Sequence, residues 1–172
     1  VPRRGSDAQP HAAAIVIAAI GSPVRGSVQD DVTFLSESLS SDDPHVRRAA
    51  VEALAAIGSP LGVEAVAFAL ADEVREVQLA ALRALGKLRD DEGGALGAPH
   101  LLELMESSDD EELVAAAIRA LGEAGDARAL GVLRPLARSG DAMRAVFAVE
   151  SIARLADPRR IDALIDALSH HD

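Results

Sequence analysis

The sequence predicts an all-α chain, folded as a right-handed superhelix of stacked helix pairs (a solenoid). Three observations carry that expectation. The stretch AAIGSP at Ala18 to Pro23 returns unchanged at Ala55 to Pro60, 37 residues later. Apolar residues recur at helical spacing along the chain, and no alternating run is bounded like a strand. Hydrophobic residues make up 49% of the chain but aromatics only 2%, with Phe34, Phe68 and Phe147 and no Trp or Tyr. The interior must therefore be Ala, Leu, Val and Ile, a composition that suits close-packed helices.

Sliding the chain on itself gives the elements in order. Aligned on the residue that follows each Ala/Leu-rich run, the anchors are Gly21, Gly58, Gly86, Gly122 and Ala156, spaced by 37, 28, 36 and 34 residues. Periods of this size mark repeat architectures. Four residues before each anchor stand Ile17, Leu54, Leu82, Ile118 and Ile152, and one before stand Ile20, Ile57, Leu85, Leu121 and Leu155. These positions form one helical stripe, so each run is a helix with its core face in the same place. Gly at the anchor supplies a left-handed helix end, and the Pro after Gly21 and Gly58 prevents continuation. The starts are SDDPHVRR at Ser41 to Arg48, Ser108 to Glu112, and Ser139 to Asp141, where Asp can cap.

A second helix lies between each stop and the next start. Val28, Val32, Leu35 and Leu39 mark the first; Val63, Val66 and Leu70 the second; Leu101, Leu104 and Met105 the third. Leu130, Leu133 and Ala137, then Ile161, Leu164, Ile165 and Leu168, mark the last two. With these helices termed A and the anchor-bearing ones B, the chain reads B, AB, AB, AB, AB, A. The repeats within a single domain over 1–172 are 1–23 (B only), 24–60, 61–92, 93–126, 127–158 and 159–172 (A only). The incomplete end repeats and the absent initiator Met read as a fragment of a longer protein.

DDPHVRRAAVEALAAIG (Asp42 to Gly58) resembles a HEAT-like repeat of the short kind found in phycobilisome bilin lyases. DEVREVQLAALRALG (Asp72 to Gly86) and DDEELVAAAIRALG (Asp109 to Gly122) are similar to it. The resemblance spans about residues 8 to 170 and implies stacked HEAT-like helix pairs; it is less specific for function, because such repeats serve unrelated proteins. It implies that Asp43 with Arg47, and Asp72 with Arg75, are structural, an Arg tying a loop carboxylate and locking neighbouring repeats. The pattern fails at Glu111 and Leu113 and returns as Asp141 with Arg144.

Chemistry is sparse. The net charge of −11 disfavours nucleic acid, which needs clustered Lys and Arg. No Cys is present, so thiol chemistry and disulfides are excluded. None of the five His is followed by Glu or stands at a metal-ligand spacing, and no G-x-S-x-G occurs. Gly93 to Gly97 is glycine-rich without a preceding strand and reads as a loop. Asp109 to Glu112 suits a helix N-terminus, and Asp90 to Glu92 a solvated loop. No run reaches the roughly 18 apolar residues of a membrane span. No catalytic residue, metal or cofactor is expected, and the expected compartment is the cytoplasm.

Surface is what remains. Positions ten, six and three residues before the anchors should line the concave B-helix face. They give Arg48, Glu52 and Ala55; Glu76, Ala80 and Arg83; Glu112, Ala116 and Arg119; Val146, Glu150 and Ala153. This mixed charged strip without aromatics predicts a protein-interaction scaffold or adaptor that binds another protein or peptide with a charged surface. The alternatives are a bilin lyase-like enzyme subunit and a regulatory segment of a larger multidomain enzyme. End-mediated self-association is a further expectation, because residues 11–20 and the last A helix each lack a partner helix.

Overall fold

A computed structural model describes residues 27–170; the anticipated B helix at 11–20 lies outside the described residues. The described residues hold nine α-helices, two single 3-10 turns and one isolated antiparallel bridge, Arg89 to Ala95, but no strand. They fall in two compact units, divided between Ala81 and Leu82.

In the first unit α1 (Val28–Ser38) packs on α2 (Pro44–Ile57), followed by a 3-10 turn and the short α3 (Val63–Phe68). Ser27 caps α1 and Asp43 caps α2, with Oδ1 accepting from the His45 N–H at 2.9 Å. Pro44 stands in the first turn of α2, where its missing N–H costs nothing. Gly58 ends α2 at φ +68, a conformation that strains any residue with a Cβ. The core is aliphatic: Val32, Leu35, Val46, Ala50, Val51, Leu54 and Val66 are all buried.

One charged contact binds this unit together. Arg47, its side chain only 8% exposed, donates from Nε to Asp72 Oδ2 at 2.7 Å and from Nη2 to Asp72 Oδ1 at 2.8 Å. Its Nη1 donates to the Ser41 carbonyl at 2.9 Å. Asp72, 9% exposed, also accepts from the Val74 N–H at 2.8 Å, just ahead of α4 (Arg75–Leu85). The guanidinium thus ties the turn at Ser41 to the turn at Asp72.

The second unit contains α5 (Ala98–Ser107), α6 (Glu111–Ala124), α7 (Ala129–Ala137), α8 (Ala142–Arg154) and α9 (Arg160–His170). Each A helix packs on its own B helix, α5 on α6 and α7 on α8. Successive B helices, α6 and α8, pack together, as do the A helices α7 and α9. Asp110 caps α6 through the Glu112 and Leu113 N–H groups, and Asp141 caps α8 through those of Met143 and Arg144. Arg89 donates from Nη1 to the Gly86 and Leu88 carbonyls and from Nη2 to that of Glu123 at 2.8 Å. The Asp90 to Glu92 segment is a closed turn: Asp90 Oδ1 accepts from the N–H groups of Glu92 and Gly94.

The helix ends differ from expectation at three anchors. Gly122 lies inside α6, which closes on Gly125 at φ +66. Gly86 lacks a positive φ, and α8 ends on Leu155 in extended backbone rather than at Ala156. Gly86 and Gly122 are glycine for closeness. A Cβ on Gly86 would stand 2.8 Å from the Ala120 carbonyl oxygen, and one on Gly122 would stand 2.7 Å from the Cα of Ser151. Ser151 seals the same crossing by donating to the Ile118 carbonyl at 2.9 Å.

Two expectations follow. Gly122→Ala should lower the unfolding free energy in urea by about 1–3 kcal/mol, because overpacking outweighs improved helix propensity. Gly131→Ala, in α7 with nothing within 4 Å of its Cβ, should raise it by up to about 1 kcal/mol.

The second concerns the buried pair. The hydrogen bond from Arg47 holds the Asp72 carboxyl below the usual carboxylate range, against the opposing pull of burial. A lowered folded value means that the contribution is complete above the unfolded value of about 3.9. It is lost as pH falls through the folded value. Arg47→Ala should cost about 3 kcal/mol at neutral pH, the low end for breaking a buried pair. Asp72→Asn should flatten part of the stability loss below about pH 4; a slope equal to the wild type would show the pair to be irrelevant.

Candidate protein-interaction surface

The helical period places charged residues on the outer stripe of each B helix. In the first unit Arg48 and Glu52 lie one turn apart on α2, 3.7 Å from each other, with side chains 45% and 54% exposed. Glu76 is exposed on the first turn of α4. In the second unit Arg83 (on α4), Glu112 and Arg119 (on α6) and Glu150 (on α8) are all exposed. Ala80, expected between Glu76 and Arg83 on the outer face, is instead buried at 3% exposure.

The strip also contains an aromatic ring, contrary to expectation. The Arg119 guanidinium lies over the Phe147 ring, 4.6 Å from its centroid. A cation over a ring face is attracted by the ring quadrupole. Met143 and Val146, on the same helix as Phe147 and Glu150, are 64% and 53% exposed. Phe147 and Met143 were missed in sequence. Their signal was the spacing Met143, Val146, Phe147 and Glu150, which puts all four on adjoining faces of one helix.

Closure at Gly125 also changes the register. Counted from the capping aspartates, Arg119 shares its position with Glu52 and Glu150, nine residues past Asp110, Asp43 and Asp141. Glu112 corresponds to His45 and Met143 rather than to Arg48. The columns anticipated for α6 are therefore displaced by three residues.

Asp43 caps α2, and Arg47 with Asp72 forms the buried pair. Arg75 Nη1 donates to Gln78 Oε1 at 3.4 Å. The position of Arg47 is taken by Val114 in α6 and Ala145 in α8, both buried. Arg144 lies on the position before it, with Nε 3.2 Å from its own cap, Asp141 Oδ2.

Among the described residues no three His, Cys, Asp or Glu side chains gather in a metal-binding arrangement. No helix among them is long and apolar enough to cross a membrane.

Comparison with known proteins follows the same lines. The family model for HEAT repeats matches residues 4–86 and 98–172. Among solved structures the chain is similar to an engineered protein of the Northeast Structural Genomics Consortium, with 25% identity and a TM-score of 0.54. That match covers 93% of this chain and 78% of the other. No curated protein matches. The paired helices and the family match together show that the chain belongs to the HEAT-repeat family, with its all-α solenoid class of fold.

Proposed function

We propose that this chain is a non-catalytic interaction scaffold whose partner docks on the outer stripe of its B helices. HEAT repeats commonly serve as protein-interaction scaffolds. The observation that supports this stripe is the Arg119–Phe147 stack, on a helix that also exposes Met143 and Val146. An apolar centre with a charged edge is the anatomy of a protein interface. In the second unit the edge is Arg83, Glu112, Arg119 and Glu150; in the first, Arg48, Glu52 and Glu76 supply a charged patch. The fitting partner is a protein or peptide with charges of both signs around one apolar anchor.

A random-peptide display selection on the intact chain tests this. Recovered peptides should bind more weakly as salt rises. They should lose at least about tenfold affinity on Arg83→Glu with Arg119→Glu, equal to about 1.4 kcal/mol. Peptides indifferent to that pair of changes would move the site elsewhere. A colour change on mixing with a bilin would instead favour the lyase-like reading.

Self-association through α9 belongs to the same proposal. Ile161, Ile165 and Leu168 are 55%, 59% and 68% exposed, whereas Leu130 and Ala137, which stand in α7 at the places of Ile161 and Leu168, are buried. The other end, residues 11–20, lies outside the described residues. Sedimentation should show mass rising with concentration for the wild type and a monomer for Ile165→Asp; a wild-type monomer at millimolar concentration would contradict it.

A further inference from the structure

The chain repeats a second short motif, at the start of two A helices: Asp126-Ala127-Arg128 before α7 and Asp157-Pro158-Arg159 before α9. In both, the aspartate accepts the backbone N–H of the arginine at 2.8 Å. It then accepts the same arginine's Nε and Nη2, at 2.9 and 2.5 Å in the first copy and 3.1 and 2.7 Å in the second. The carboxylates are sheltered, 10% and 6% exposed, while the arginine side chains are 69% and 70% exposed. Each guanidinium is therefore fixed along its Nε edge. Among the described residues Nη1 of neither makes a hydrogen bond, so one edge of each faces outward.

Both arginines line one cleft of about 580 Å³, together with Arg134, Leu130, Gly131 and Asp162. Arg134 is itself oriented, with Nε 3.0 Å from Asp166 Oδ2. The surrounding segment is less acidic than the rest of the molecule. Residues 126–166 carry seven arginines against six carboxylates, near balance in a chain whose net charge is −11.

We propose that this cleft binds an acidic peptide segment. A planar guanidinium already paired on one edge can take a second carboxylate on the other. Fixing it beforehand removes part of the side-chain entropy that binding would otherwise cost. The floor at Leu130 and Gly131 is apolar and takes the peptide's hydrophobic atoms, which a bare anion lacks. Asp162 repels a dense row of charges and favours carboxylates spaced along a chain. This site is on A helices and does not depend on the stripe proposed for the B helices.

Gly131 supplies the test. It is exposed, in a helix, with nothing within 4 Å of a Cβ, so Gly131→Glu places a carboxylate in the cleft without disturbing the fold. The probe is a fluorescein-labelled peptide, GELEELEG, titrated against the intact chain at low salt. The expected result is saturable binding, weakened at least about tenfold by Gly131→Glu with an unchanged or raised melting temperature, and tightened about threefold by Asp162→Asn. Absence of saturable binding, or equal binding by Gly131→Glu, overturns the proposal. Inorganic phosphate is the second arm. Displacement of the peptide by phosphate at equal concentration would make this a simple anion site and would also overturn the peptide assignment.

Discussion

Every B helix described here starts on an aspartate, and the rest of the structure is counted from it. Asp43, Asp110 and Asp141 cap α2, α6 and α8, and Asp72 accepts the Val74 N–H ahead of α4. A cap satisfies amides that the helix leaves open and fixes where its first turn begins. With the start fixed, the 3.6-residue period decides which side chains face the core and which face solvent. The buried set of α2, at Ala50, Ala53 and Leu54, recurs in α8 at Ala148, Ser151 and Ile152, each seven, ten and eleven residues past its aspartate. Asp72 has the additional task of neutralising Arg47, so one carboxylate both starts a helix and makes a buried guanidinium tolerable.

The small side chains follow from the same geometry. Neighbouring B helices approach closely enough that Gly122 faces the backbone of Ser151, and the serine hydroxyl bonds the facing carbonyl of Ile118. Alanine and glycine therefore take places where other helical proteins put larger residues, and the paucity of aromatics is a consequence. The large aliphatic residues Leu82, Leu85, Ile118, Leu121 and Ile152 are fully buried. Apart from the buried Arg47–Asp72 pair, charge on the B helices is left to the outer stripes, which can vary without disturbing the core.

The helices, their alternation and the outward exposure of all seven charged B-face residues were legible in sequence, because each depends on local periodicity. The glycines were not. In LGEAG, Gly122 and Gly125 look alike, yet one is glycine because a second helix passes close by and the other because its φ is positive. Composition cannot tell these reasons apart, and the anchor alignment took the first. Contacts between helices were equally hidden: the Arg119–Phe147 stack, the Arg47–Asp72 pairing and the convergence of Arg128 and Arg159 on one cleft all join residues far apart in sequence. The repeated Asp-x-Arg was visible as a pattern, and its meaning came only with the burial of its carboxylates.

The register set by the aspartates underlies both the core and the columns of the candidate surface, and backbone NMR of the intact chain tests it at one place. If α6 runs from its Asp110 cap to Gly125, the Gly122 amide is protected from hydrogen exchange and its backbone shifts are helical, while Gly125 reports a positive φ. A rapidly exchanging Gly122 with a positive φ, and a disordered Glu123 and Ala124, would contradict the account.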